Sequence, residues 1–164
     1  MLLDTFNYKI WADERTLKAV EKVDSVSAND SYAFMLQQIN HMVIVEDLFK
    51  SRLLNLIAPH QSTNTKVIPE FEELEERLLI SGRWYREYVA NLEKTAYETT
   101  INFIFGDGKR GSMTIKEIFF HIINHGSYHR GSIAHALDLA GVAHPPDGYG
   151  IYVHEKQPER RAKK

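Results

Sequence analysis

The chain has 164 residues, a length typical of one globular domain, and its 43% hydrophobic and 26% charged residues exclude wholesale disorder and a membrane-protein composition. It contains no cysteine, which excludes disulfides, thiolate metal ligands and a cysteine nucleophile. A formal net charge of −2 gives no electrostatic drive toward phosphate backbones, and the first residues are typical of neither a secretory signal nor a membrane span. We therefore expect a cytoplasmic protein with no nucleic-acid partner and no membrane partner.

Helical spacing of apolar residues predicts the first two helices. Apolar residues such as Phe6 and Ile10 recur at this spacing and indicate a first helix from Leu3 to about Val23. A turn-forming segment ends it. A second, longer apolar helix is predicted from about residue 30 to residue 57, because Pro59 follows.

A third helix and a hairpin are predicted next. The segment EFEELEERLLISGRWYREYVANLEK, residues 70–94, has acidic residues in its first turns, as the helix macrodipole favours. In residues 97–114, β-branched and aromatic residues lie on both sides of a Gly-Asp-Gly turn, which is the pattern of a short hairpin.

Thr114 and Glu117 form a capping-box pattern at the start of a fourth helix, which Gly141 ends. Each apolar stripe of a helix needs a neighbour to cover it. The sequence therefore predicts an all-α fold, a four-helix bundle with a small β-hairpin insertion before the last long helix. We expect residues 1–155 to form this single domain and residues 156–164 to form a flexible basic tail.

Two histidines of the fourth helix, His125 and His129, are four residues apart and lie on one helical face, where one cation can reach a nitrogen of each. On a helical wheel, His129 points toward the apolar stripe and His125 flanks it, whereas His121 and His135 fall outside it. The pair alone fits either hydrogen-bonded core histidines or a metal site. His41 in the second helix offers a third ligand, but the wheel does not decide whether it faces the fourth helix.

The segments INHMVIVEDLFKSRL, HIINHGSYHRGSIAHAL and AGVAHPPDGYGIYV resemble the DinB/YfiT-like family of damage-inducible, metal-binding four-helix bundles. The family pattern is an Asn-His in the second helix and an Asn-His-x-x-x-His-Arg-Gly in the last. Carried over to this chain, the resemblance implies that His41, His125 and His129 are the metal ligands. Ser132 stands where many relatives have Gln, so no role is carried over to that side chain.

Three neutral imidazoles suit a divalent metal, with zinc as our first expectation and nickel as the second, and they leave at least one coordination position open. Such a site activates a small nucleophile. The family's thiol-dependent members imply a low-molecular-weight thiol that attacks an electrophilic small molecule, in a reaction of S-transferase, isomerase or hydrolase type. The alternative is a non-enzymatic, stress-associated bundle protein whose metal is structural or sensory, and a fourth ligand from His121 or Glu46 would favour it.

The remaining polar residues of these motifs receive weaker assignments, and no catalytic residue is assigned. Asn40, Asn124 and Tyr128 neighbour the three histidines in sequence and could orient them by hydrogen bonds. Residues that are adjacent along a helix do not share a face, however, so we expect no such role for any one of them. Arg130 is expected to form a surface or interface ion pair. The resemblance implies a homodimer, and the aromatic segment GRWYREYV fits an interface, a pocket mouth or the core.

Overall fold

Four long helices carry most of the chain in the computed structural model, which describes residues 2–161. They are α1 (Leu2–Val20), α2 (Asn29–Leu53), α3 (Phe71–Asn91) and α4 (Ile115–Leu139). An antiparallel hairpin of β1 (Thr100–Ile104) and β2 (Arg110–Thr114) precedes α4, and a short helix α5 (Tyr149–Lys156) follows it. The predicted all-α bundle with a hairpin insertion is confirmed.

Two apolar clusters fill the bundle, and a polar layer lies between them. The first cluster includes Leu17, Met35, Ile39, Leu74, Leu78, Ile133 and Leu137. The second includes Phe6, Phe49, Tyr85, Ile118, Phe119 and Ile122. Where the two clusters approach one another lie the buried polar residues Lys9, Asp13, Glu46, Ser81, His129 and Arg130. The middle of the bundle is therefore charged, while both ends are apolar.

The order of the clusters along each helix gives the direction of the chain. The helices α1 and α4 run from the second cluster to the first, whereas α2 and α3 run from the first to the second. Both α1 and α2 pack against α3 and α4, so α1 and α2 are diagonal to one another. Because α2 and α3 run in the same direction, the crossover at residues 54–70 travels the length of the bundle and passes its polar middle layer.

The predicted end of the second helix is wrong by four residues, because α2 stops at Leu53 instead of residue 57. Asn55 adopts a left-handed conformation with φ 53°, its N–H donates to the carbonyl of Arg52, and the N–H of Leu56 donates to the carbonyl of Ser51 at 2.8 Å. This is a Schellman motif with asparagine in the place that glycine usually takes. It frees residues 54–63 to form one wall of the cleft described below.

The start and end of α4 follow the predicted signals. The Thr114 hydroxyl accepts a hydrogen bond from the Glu117 N–H, and the Glu117 carboxylate accepts one from the Thr114 N–H at 2.7 Å. Gly141 has φ 72° and closes the helix as its left-handed cap. The predicted capping box and glycine stop are confirmed.

The chain returns to α1 after α4, which the sequence did not predict. Trp11 donates to the Glu155 carboxylate at 3.0 Å, and the ring of Tyr8 packs edge-on against the ring of Tyr149. Residues 158–160 form a single exposed 3-10 turn, and residues 162–164 of the predicted tail lie outside the described residues. Across residues 2–161, no helix has the length and apolar character needed to cross a membrane.

The aromatic segment of α3 belongs mainly to the core. Tyr85 is fully buried and its hydroxyl donates to the carbonyl of Glu46 at 2.7 Å. Trp84 is half-buried, stacks on Tyr88 and lies under the ammonium group of Lys50. Of the three roles left open by the sequence, core packing accounts for Tyr85.

Candidate metal centre

Three histidines from two helices meet in the polar middle layer. His41 comes from α2, and His125 and His129 come from successive turns of α4. The Nε2 atom of His125 lies 3.1 Å from that of His41 and 3.0 Å from that of His129. One nitrogen from each ring lies within 4.8 Å of the other two. The helical wheel left the direction of His41 undecided, and the structure places it against α4.

Backbone and amide oxygens fix the orientation of two of these rings. His41 Nδ1 lies 2.8 Å from the carbonyl oxygen of Thr63, which can only accept, so this nitrogen donates. His129 Nδ1 lies 2.6 Å from the amide oxygen of Gln38 and donates in the same way. A neutral ring that donates from Nδ1 carries its lone pair on Nε2. Both lone pairs therefore face His125.

The two short contacts at His125 cannot both be linear hydrogen bonds, because its Nε2 atom offers one site, either a proton or a lone pair. A second proton on His125 or His129 does not account for these contacts either, because both rings are hard to protonate. Burial, and then the neighbouring His129 and His41 rings, lowers the pKa of His125 to about 3. Burial and His41 lower the pKa of His129 to about 4. At neutral pH these two rings are uncharged, which is the state that binds a metal.

The spacing of the three nitrogens fits a bound cation. Histidine nitrogens bind zinc at about 2.0–2.1 Å, which puts two of them about 3.4 Å apart around one tetrahedral ion. The observed separations of 3.1 and 3.0 Å at His125 are close to that value. A cation among the three nitrogens would satisfy every lone pair at once, which no arrangement of protons does.

Neither residue named as an alternative fourth ligand, His121 or Glu46, joins the cluster among the described residues. The buried Glu46 carboxylate accepts from Lys9 at 2.8 Å and from Ser81 at 2.5 Å, so both of its oxygens are engaged away from the histidines. The ring of His121 stacks on that of His125 with 5.3 Å between centroids and lies outside the nitrogen cluster. The cluster thus consists of three imidazoles.

Arg130 forms ion pairs, as expected, but their expected location at the surface or an interface is wrong. Its side chain is buried and pairs with Asp13 and Asp147, each at 2.8 Å. Lys9 pairs with Asp13 at 2.6 Å and also with Glu46, so one buried ion network joins α1, α2 and α4. The apolar stripe predicted for α4 did not indicate this burial, because α4 contacts α1 as well as α2 and so buries more than one stripe.

Asn40, which precedes His41, is fully buried and holds the crossover in place. Its amide nitrogen donates to the Thr65 hydroxyl at 2.8 Å, and that hydroxyl donates to the carbonyl of Val67 at 2.7 Å. The same crossover presents the Thr63 carbonyl to His41. Asn40 is thus a positioning residue, although its own side-chain oxygen is buried without a partner in the described part of the chain.

Asn124 and Tyr128 are exposed and do not share the face of the histidines they neighbour, although the Tyr128 ring contacts His129 edge-on at 5.1 Å. Gln38 and Thr63, the residues that orient the histidines, were missed from the sequence. Gln38 lies three residues before His41 on α2, a helical spacing that could have drawn attention to it. Thr63 acts through its backbone, so its residue type carries no signal.

A cleft of about 930 Å³ opens beside the histidine cluster and is lined by His41 and His125. Its walls come from the end of α2, residues 55–63 of the crossover, and the hairpin. Much of the lining is apolar and aromatic, including Leu48, Phe49, Leu56, Phe103, Phe105 and Met113. A space of this size accommodates a small organic molecule. The hairpin and crossover therefore enclose a cleft of ligand size next to the nitrogen cluster.

Comparison with known proteins places this architecture in a family. The model of the DinB family matches residues 1–161. Protein DinB of Bacillus subtilis (strain 168) is 25% identical over 167 residues, an alignment that covers 94% of this chain and 95% of that relative. No solved structure gives a significant match. The chain belongs to the DinB family.

Proposed function

We propose that the protein binds one divalent metal through His41, His125 and His129 and uses it to activate a low-molecular-weight thiol for attack on an electrophilic small molecule. The observation that carries the proposal is the convergence of three Nε2 atoms at the wall of a cleft large enough for a small organic molecule. A divalent metal bound to three neutral imidazoles makes a coordinated thiol ionise at neutral pH. We propose zinc first and nickel second, since both suit imidazole ligands.

The protein's own groups have two tasks in such a reaction. The Thr63 carbonyl and the Gln38 amide hold two of the imidazoles in their metal-binding tautomers. The apolar walls would lower the polarity around the reacting groups, which strengthens electrostatic interactions there. The chain has no cysteine, so the sulfur nucleophile comes from a separate molecule.

Three observations favour catalysis over a structural metal. Closed structural zinc sites normally have four protein ligands, and the described residues bring three together. Apolar clusters already join α2 and α4 on both sides of the polar layer, so a metal is not needed to hold these helices together. A cleft beside the ligands is what a reaction needs and a structural site does not.

The test combines metal analysis with a conjugation assay. Protein purified without added metal is assayed by elemental analysis, then with 1-chloro-2,4-dinitrobenzene and a panel of small thiols. In this reaction a C–S bond replaces the C–Cl bond, and the thiol proton leaves with chloride. We expect about one metal ion per chain and thiol-dependent turnover, and we expect His129→Ala to lose both.

His135→Ala is the matched control, since this exposed histidine lies on the same helix outside the cluster. It should keep wild-type metal content and activity. Turnover that survives in metal-free His129→Ala would overturn the proposal. A metal whose chelation unfolds the bundle, with no conjugation by any thiol, would instead support the structural alternative.

A further inference from the structure

Arg52 is a cation built into the apolar wall of the cleft. It lies in the last turn of α2, and its guanidinium carbon is 4.1 Å from the ring centroid of Phe103 and 4.6 Å from that of Phe49. It lines the same cleft as His41 and His125. Two aromatic rings therefore fix the guanidinium at a defined place on the wall.

This guanidinium has no acidic partner among the described residues. One hydrogen bond is made, from Nη2 to the carbonyl of Ile104, and at 3.5 Å it is long. Other cations of the fold are better satisfied: Arg77 pairs with Asp47 at 3.0 Å, and Arg130 pairs with two carboxylates. A guanidinium has five N–H donors, so most of those on Arg52 remain available.

Leaving a partly buried cation without a counter-ion is unfavourable, and burial lowers the pKa of Arg52. Proteins accept this cost at places where a ligand supplies the missing charge. The aromatic rings on either side stabilise the cation but do not neutralise it.

A continuous set of ring contacts connects Arg52 to the histidine cluster. Phe49 packs against His121 with 5.0 Å between centroids, and His121 stacks on His125 at 5.3 Å. Arg52 and the proposed metal ligands thus lie along one wall, with two rings between them. A ligand that reaches both must have a body of a few atoms between its negative group and its reacting group.

We propose that Arg52 binds the carboxylate of one reactant, which would be a small organic acid with an apolar or aromatic body. This rests on the thiol reaction proposed above and names the chemical class of one of its reactants. A single guanidinium matches a single carboxylate in charge and, by its paired N–H groups, in shape. The apolar lining on either side of Arg52 binds the body of the acid.

Calorimetric titration with two matched probes tests this directly. The first is 4-phenylbutyrate, and the second is 4-phenylbutyramide, which has the same body without the charge. The wild-type protein should bind the acid at least about tenfold more tightly than the amide, the expected effect of a charge-assisted hydrogen bond. Arg52→Gln should remove this preference, and Arg52→Lys should keep part of it.

Arg86→Gln serves as the charge-matched control, because Arg86 is exposed on α3 and does not line the cleft. It should keep the wild-type preference. Thermal melting of each variant identifies any loss of fold, and Arg52→Lys preserves the test if Arg52→Gln unfolds. Metal content is measured in every sample, so failure to bind metal is distinguished from failure to select the acid.

Equal binding of acid and amide by the wild type, or binding of neither, would overturn the assignment. A preference for the acid that persists in Arg52→Gln would also overturn it, since the carboxylate would then be held elsewhere, for example by the metal.

Discussion

Gln38 has a clear task at the scale of single residues: its amide oxygen accepts the Nδ1 proton of His129 at 2.6 Å and so sets the tautomer of that ring. Hydrogen-bond partners of this kind typically change metal affinity by about 10–100-fold when removed. We expect Gln38→Ala to weaken metal binding by a factor in this range without unfolding the protein. Competition with a coloured chelator measures the change.

Gln37→Ala is the control for this substitution, because Gln37 is the adjacent residue of α2 and is exposed. Its affinity for metal should match that of the wild type. An affinity in Gln38→Ala equal to that of Gln37→Ala would show that the hydrogen bond to His129 does not affect the metal site.

Single residues also mark where the sequence was informative. The spacing of His125 and His129 predicted a shared face, and the resemblance supplied His41, which helical geometry alone could not direct. Thr63 could not have been found, because a carbonyl contact between residues 22 positions apart depends on the path of the crossover. The burial of Arg130 depended on partners in α1 and beyond α4, which no local pattern contains.

At the scale of elements, the long helices followed from periodicity and caps, whereas α5 did not. It has only eight residues and buries none of their side chains fully, so the segment is too short for its apolar spacing to predict a helix. Contacts with α1 hold it instead, through Tyr149 and Tyr152 against Tyr8. A helix of this length is marginal on its own, so its existence depends on tertiary packing.

Asp147 fastens this returning segment to the bundle. Its carboxylate accepts from Arg130 at 2.8 Å and from the Tyr8 hydroxyl at 2.6 Å. We expect Asp147→Asn to lower the free energy of unfolding by roughly 1–3 kcal/mol, the range for hydrogen bonds that involve charged groups. Urea unfolding measures this loss. The control is Asp138→Asn, which removes the charge of an exposed pair with His144 and should lower the free energy of unfolding by less than about 1 kcal/mol.

The effect of Asp147 should depend on pH in a defined direction. Burial opposes its ionisation, but the Arg130 guanidinium outweighs this and lowers the pKa of Asp147 below its usual value. A lowered carboxyl pKa stabilises the fold above the unfolded value of about 4, and this contribution is lost as pH falls through the folded value. The difference between wild type and Asp147→Asn should therefore be constant above about pH 5 and shrink below about pH 4. A difference that grows on acidification would contradict this account.

At the scale of the whole molecule, the homodimer implied by the resemblance remains a prediction. Large apolar residues are exposed on one side of α4, where Phe120 is 70% and Tyr128 71% exposed. These two exposed rings are the part of α4 that we expect a second copy of the chain to cover. We expect analytical ultracentrifugation to show that the wild-type protein is a dimer. Phe120→Glu should shift the protein toward the monomer, whereas the control Ile57→Glu, in the crossover, should leave it dimeric. A wild-type monomer at micromolar concentration would be the contrary result.

The fold as a whole places its reactive groups where three features meet: the polar middle layer, the crossover and the hairpin. The sequence predicted the helices and the hairpin. It did not predict that α2 and α3 run in the same direction, because chain direction follows from the packing of the whole bundle. That direction brings the crossover past the histidines and creates the cleft, so the site depends on topology as well as on its residues.

Anomalous X-ray scattering from crystals of protein purified without added metal is the most direct test of the central claim. One strong peak is expected, at about 2.1 Å from the Nε2 atoms of His41, His125 and His129. The absorption edge would identify the metal. Two results would contradict the claim that these three histidines bind a metal. One is the absence of a peak among the three nitrogens in crystals grown with excess zinc, and the other is a metal bound by other residues.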